Sequence, residues 1–308
     1  MRPKALVLQA YGSNRDFDVS EALTLAGAEA VGIPLNELRM NKTLLSDFQL
    51  LIVPGGFSYA DALGAGKLLA LDLASYFADE ISAFVESGKP VIGICNGFQA
   101  LVKSGILPGN NVIARSGAFG ATTKQSPAKS DVSERVETLA PGAHRPGWSV
   151  PGSANVASDY RPRKDGATLT FNAQGQFECR WVTLKPISEN CIWTKGLDEL
   201  IECPVAHGEG NFQTSEIFPL SSFIENDQIA LTYTYSDGSR ANGEYPINPN
   251  GSILDIAGIC NPQGNVLGLM PHPENHIHPH QHPQWTRGMN HHSGLTLFRN
   301  GVKYASQL

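Results

Sequence analysis

The chain has 308 residues, 41% of them apolar and 17% charged, with 23 basic against 29 acidic side chains and a formal charge of −6. That apolar share supports a large core and excludes a chain disordered throughout. The acidic balance argues against a nucleic-acid partner, which needs a clustered basic face. No apolar run approaches the roughly 20 residues of a membrane helix. Five scattered cysteines without a Cys-x-x-Cys pair fit a reduced, cytoplasmic protein.

In chain order, residues 4–10 read as a short buried strand. The basic-then-apolar start ends at Gln9, too soon for a secretory leader. A helix is expected over 18–30, strands over 31–35 and 50–53, and one helix over 68–87 with its apolar residues near the 3.6 period. Gly88 and Pro90 stop that helix. A strand follows at 91–94, and a helix begins near Phe98. Strands apolar on both faces, alternating with helices, predict an α/β fold with a mostly parallel sheet covered on both faces. From about 115 to 166 the chain turns Ser-, Ala-, Pro- and Gly-rich without periodicity, so one domain spanning 1–308 with an irregular insertion is expected. A β-rich half follows, with strands at 167–172, 177–184, 203–206, 229–235, 253–260 and 266–270. Turn residues at 172–175, 237–238, 248–251 and 262–264 suit hairpins. A closing helix is expected over 293–306.

Three segments carry chemistry. Gly93-Ile94-Cys95-Asn96-Gly97-Phe98-Gln99 stands between a buried strand and a helix and has the Gly-x-nucleophile-x-Gly form of a nucleophile elbow. Such a turn lifts the side chain clear of the sheet, places the sulfur at a helix N-terminus and leaves the Asn96 N–H free to face an oxyanion. A buried structural cysteine in a glycine turn competes with that reading. Met270-Pro271-His272-Pro273-Glu274 follows the last strand. In an extended segment His272 and Glu274 face the same way, so the carboxylate can orient an imidazole whose other nitrogen meets the sulfur; a capping turn is the plainer alternative. Pro54-Gly55-Gly56-Phe57-Ser58-Tyr59-Ala60-Asp61 ends another parallel strand at the edge where open α/β sheets bind ligands.

Together these segments resemble the class I (triad) glutamine amidotransferases, whose fold is flavodoxin-like. Phe177–Val182, Pro204–Gly210 and Tyr245–Ser252 narrow the likeness to the glutaminase subunits of phosphoribosylformylglycinamidine synthase, over nearly all the chain outside 115–166. The resemblance implies Cys95 as nucleophile, His272 as general base and acid, and Glu274 as its orienter. It further implies Gly56 and Asn96 as oxyanion donors, and Gln99, His207 and Gly208 as contacts to L-glutamine. It implies no cofactor in this chain, with ATP and magnesium on a partner synthetase subunit, room for a small bridging subunit, and neither nucleic acid nor membrane as partner. A stand-alone cysteine hydrolase of related fold, γ-glutamyl hydrolase-like, and a non-catalytic regulatory module are the alternatives.

His276, His278, His280 and His282 alternate and His291-His292 follow. Without a cysteine or second cluster nearby, and with prolines keeping the segment extended, a solvated loop over the site is expected rather than a metal centre. Cys179, Cys191, Cys203 and Cys260 read as core residues, and Glu178, Arg180, Arg161 and Arg163 as solvated charge.

Overall fold

In the computed structural model the first half of the chain builds the expected alternation: β1 (Lys4–Gln9), α1 (Asp16–Ala26), β2 (Glu29–Pro34), α2 (Leu35–Met40), β3 (Leu50–Val53), α3 (Lys67–Tyr76), α4 (Ala78–Glu86), β4 (Val91–Ile94) and α5 (Asn96–Ser104). The structure describes residues 2–109, 166–214, 219–288 and 293–308. The expected insertion, with Arg161 and Arg163, lies outside the described residues except for Gly166. β3 and β4 are buried along their whole length, as strands covered on both faces must be. α1 packs with α7 (Leu295–Ala305) beside β1 and β3, while α3 packs with α5 against β4, which gives the sheet its two helical layers.

The single helix expected over 68–87 is two. Phe77 leaves helical geometry at φ −127°, yet its N–H donates to the Leu73 carbonyl and its own carbonyl accepts from Ile81. The break redirects the chain while Leu73, Phe77, Ile81 and Phe84 all stay buried, and Asp79 and Glu80 favour a new N-terminus directly after it. Gly88, at φ +80°, ends the second helix as expected.

The second half supplies β5 (Ala167–Thr170), β6 (Glu178–Pro186), β7 (Ile201–His207), β8 (Asn211–Thr214), α6 (Leu220–Glu225), β9 (Ile229–Thr234), β10 (Ile256–Cys260) and β11 (Val266–Leu269). Apart from β5 and β8, which form a separate two-stranded sheet, its strands join those of the first half. One nine-stranded sheet runs β2-β1-β3-β4-β11-β10-β9-β6-β7, parallel as far as β11 and antiparallel beyond it. The sheet is therefore mixed, with β11 as the junction. The β10–β11 hairpin follows the turn at 262–264 as expected, but the turn at 172–175 joins no hairpin, because β5 pairs with β8. The segment 248–251 is a buried polar plug instead of a turn between strands. Asn248 donates to the Ser252 carbonyl and to Asp255 at 2.9 Å, and Asn250 donates to the Tyr233 hydroxyl at 3.0 Å.

Two burial expectations are overturned. Alternation along β6 turns Cys179 outward, leaving it exposed, while the other four cysteines are buried; all five are free thiols. Glu178 is buried instead of solvated, because Arg180 pairs with it at 2.5 Å and in turn reaches the Tyr245 hydroxyl at 2.6 Å. Among the described residues, no helix is long and apolar enough to cross a membrane.

Candidate active site

Cys95 occupies the one residue between β4 and α5, with φ +50° and ψ −105°. A non-glycine residue held there costs about 1–3 kcal/mol, so its surroundings must enforce it. They do: its N–H donates to the Leu269 carbonyl at 2.8 Å, and its carbonyl accepts from Gln99 at 3.0 Å. The elbow glycines answer a steric demand. A Cβ at Gly97 would run into the Val53 carbonyl, and one at Gly93 would lie 2.9 Å from the Gly97 carbonyl group. The sulfur consequently stands at the first turn of α5, where the unpaired N–H groups of a helix start favour negative charge.

β11 runs parallel to β4 in register Leu269↔Ile94, so the chain leaving β11 emerges at the same sheet edge as the elbow. Residues Pro273–Asn275 form a 3-10 turn, not the extended segment expected, and this turn brings Glu274 Oε1 to 2.7 Å from His272 Nδ1. With Nδ1 occupied, Nε2 is the nitrogen left to face Cys95. Both border Gly55: a Cβ there would lie 2.8 Å from His272 Cε1 and 3.5 Å from Cys95 Cβ. Burial opposes a charge on His272, but the Glu274 carboxylate, the Cys95 sulfur and hydrogen bonds to both outweigh it and raise the imidazole to about 10.

The far-edge strand β7 closes the site. Its Pro204 carbonyl accepts from the His272 N–H at 2.8 Å, and its Ala206 carbonyl lies 3.7 Å from Cys95 Sγ. Strands at opposite ends of the antiparallel half thus meet over the nucleophile. A cavity of about 190 Å³ opens beside Cys95, lined by Gly56, Asn96, Gln99, His207 and Gly208 among others. The residues expected as catalytic, oxyanion-donating or glutamine-contacting therefore border this cavity or form the Cys95–His272–Glu274 chain. The Gln99 amide is already engaged: it donates to the Glu209 carbonyl at 2.6 Å and accepts from Asn96 at 3.2 Å.

Gly56, at φ +130°, begins a loop in which Tyr59, Ala60 and Asp61 are all left-handed, at φ 54°, 53° and 49°. Three such residues in a row need restraint. The Tyr59 hydroxyl donates to Asp72 at 2.5 Å, while Asp61 accepts from the Gly66 N–H at 3.2 Å and from the Asn96 amide at 2.9 Å. Burial raises the Asp61 carboxyl against the pull of those two donors. Asn96 also accepts from Ser58, so its side chain fastens the loop to the elbow, and the residue lines the cavity at the helix start. Lys103 pairs with Glu209 at 3.3 Å beneath the same loop. Asn172, which fixes His207, is the site residue that sequence reasoning missed; its only signal was a place in a turn-rich stretch.

The His-rich segment is not the solvated, extended loop expected. It folds into short turns at Pro279–Gln281 and Trp285–Arg287, and His276 and His282 are buried with their rings against the edge of Trp181. His276 meets the Glu202 carbonyl at 2.5 Å, and His278 meets Glu21 at 2.9 Å. Apolar ring faces packed on an indole explain the burial. Among the described residues no group of three or more His, Cys, Asp or Glu could hold a metal ion. His291 and His292 lie outside the described residues.

A thiol on a strained elbow, an imidazole and a buried carboxylate in one line form the constellation of nucleophilic acyl transfer, and the sheet that carries it is that of the triad amidotransferases. The chain belongs to the CobB/CobQ-like glutamine amidotransferase domain family, which matches residues 2–125 and 150–305. It is similar to the phosphoribosylformylglycinamidine synthase subunit PurQ of Treponema denticola, with 50% identity over 90% of this chain and 89% of that protein. The PurQ subunit of Dehalococcoides mccartyi is 38% identical over 99% of this chain and 98% of its own length. The solved structure of PurLQS from Thermotoga maritima contains a chain of the same fold, with a TM-score of 0.62, 27% identity and 99% of each chain covered.

Proposed function

We infer that this chain is the glutaminase subunit of a phosphoribosylformylglycinamidine synthase. The observation that carries the reading is the meeting of Cys95, His272 and Glu274, on a chain 50% identical to a PurQ subunit. With the proton of Cys95 already held by His272 Nε2, the sulfur attacks the carboxamide carbon of L-glutamine. The oxyanion so formed is met by the N–H groups of Gly56 and Asn96. The imidazolium, oriented by Glu274, returns its proton to the departing nitrogen, and ammonia leaves a γ-glutamyl thioester on Cys95. Water, deprotonated by His272, then releases glutamate. Gln99, His207 and Gly208 contact the substrate in the adjoining cavity.

Ammonia released into water at neutral pH would be protonated and lose its nucleophilicity, so a partner synthetase receives it directly. ATP, magnesium and the nucleotide substrate bind that partner, and a small bridging subunit completes the assembly. Phe57, Phe171 and Phe177, at 49%, 69% and 52% exposure, border the cavity and support a protein covering its mouth. The chain acts as one domain with an insertion at about 115–166; the family match itself pauses between residues 125 and 150. Five free thiols support a reducing, cytoplasmic setting. The test is Cys95→Ala in the co-purified complex. Glutamine-dependent synthesis should vanish while ammonia-dependent synthesis persists, and loss of both would refute the assigned role.

A further inference from the structure

His207 is buried, 3% exposed, on the wall of the cavity that also holds Cys95, and its Nε2 has no hydrogen-bond partner among the described residues. The protonation of that nitrogen follows from its neighbours. Asn172 Nδ2 gives its two hydrogens to the backbone carbonyls of Gln176, at 2.9 Å, and His207, at 2.8 Å. Asn172 Oδ1 is therefore the end that faces His207 Nδ1, at 3.1 Å, and it accepts from the Gly210 N–H at 3.0 Å as well. An oxygen there requires the proton on Nδ1, which leaves Nε2 a bare lone pair. The ring lies against Gly210, where any Cβ would strike it.

The Tyr245–Ser252 motif, which the triad does not use, holds this arrangement from below. The Asn250 carbonyl accepts from Ala173 at 3.0 Å, next to Asn172, and the Ser252 hydroxyl donates to the Gly210 carbonyl at 3.2 Å. Burial first, and the neighbouring His272 charge second, lower the His207 imidazole to about 3, so it stays neutral beside the imidazolium. A bare neutral acceptor attracts neither an oxyanion nor a carboxylate. Of the groups on glutamine, only an N–H can satisfy it, and the place of His207 on the cavity wall shared with Cys95 selects the carboxamide nitrogen, because that end of glutamine must lie against the sulfur.

We propose that His207 Nε2 accepts a hydrogen bond from the carboxamide nitrogen of glutamine, turning that nitrogen's developing lone pair toward His272. The inference rests on the glutaminase reading above. His207 keeps no proton: His272 donates one, the C–N bond breaks, the C–S bond stays, and the departing ammonia remains hydrogen-bonded to His207. The same lone pair repels the γ-carboxylate of glutamate, so the site prefers substrate to product.

The test compares glutamine with its diazoketone analogue, in which CHN2 replaces the amide NH2, on the full chain in its co-purified complex. The analogue keeps the α-ammonium, the α-carboxylate and the carbonyl, and sets a CHN2 carbon with no N–H where His207 would accept one; on labelling that carbon takes the proton, N2 leaves and the C–S bond forms. His207→Phe should lower kcat/KM for glutamine by about tenfold, the worth of one buried hydrogen bond, and leave the rate of Cys95 labelling by the diazoketone within about twofold. His207→Gln, which restores an acceptor oxygen near the Nε2 position, should recover most of the loss. Equal losses on both reagents would overturn the proposal in favour of a structural role or a contact to the α-ammonium, and no loss on either would also overturn it. Absence of labelling in the unmodified protein would instead overturn the glutaminase reading. If His207→Phe fails to fold, 15N spectra of histidine-labelled full-length chain decide: a proton on Nε2 of His207 refutes the proposal, and an unprotonated Nε2 upholds it.

Discussion

Glu274→Gln keeps the shape of the carboxylate and removes its charge. His272 moves from an ordinary 6.5 to about 10 in the folded site, a preference for the imidazolium of about 5 kcal/mol at about 1.4 kcal/mol per decade. Burial works against that preference, so the attraction from Glu274 and, next, Cys95 exceeds it. An adjacent opposite charge shifts a titrating group by about one to three decades, so loss of the Glu274 charge should bring the imidazole down by about two decades, to roughly 8. The acid that protonates the leaving nitrogen is then lost earlier as pH rises. In the complex, the alkaline limb of kcat/KM for glutamine should move from near 10 to about 8, and activity at pH 9 should fall by about tenfold while that near neutrality changes least. A limb that stays near 10 in the variant would refute the assignment of Glu274 as the charge that holds His272 protonated.

Gly97→Ala places a Cβ against the Val53 carbonyl; the elbow must open, and glutaminase activity should drop by at least about a hundredfold, since misplacement of about 1 Å has that effect, with wild-type turnover refuting the steric argument. Tyr59→Phe removes the hydroxyl that ties the left-handed loop to Asp72; it should lower stability by about 1 kcal/mol in urea melts, and an unchanged midpoint would show that the restraint lies elsewhere. His207, lowered to about 3 from 6.5, takes up its proton more readily in the unfolded chain, so the stability it contributes is complete above 6.5 and lost as pH falls toward 3. Between pH 6.5 and about 4.5 that is about 3 kcal/mol, and the corresponding part of the acid limb should be absent from His207→Gln. His272 has the opposite sign: its contribution is complete below 6.5 and lost as pH rises through about 10.

The parallel half was legible in the sequence because its strands are short, apolar on both faces and bounded by glycine and proline. Residues 50–53 and 91–94 fall where the pattern puts them. The break at Phe77 was not, since the apolar period runs through it unbroken and only the backbone changes direction. The elbow was readable from Gly93 and Gly97, whose lack of a Cβ is a local demand. The pairing of His272 with Glu274 was readable in outcome but not in geometry, because a 3-10 turn and an extended strand can both bring residues two apart to one side. Neither the return of β7 over Cys95 nor the grip of Asn172 on His207 leaves a local trace: both depend on partners more than thirty residues away. The His-rich segment misled because its composition is polar, while its rings pack on Trp181.

The most direct measurement is an acid quench of the working complex during glutamine turnover, followed by peptide mass spectrometry. A γ-glutamyl group on the peptide that contains Cys95, and its disappearance when Cys95 is replaced by Ser, is the predicted result. A γ-glutamyl group on exposed Cys179, or steady hydrolysis of glutamine after Cys95 has been replaced, would contradict the account.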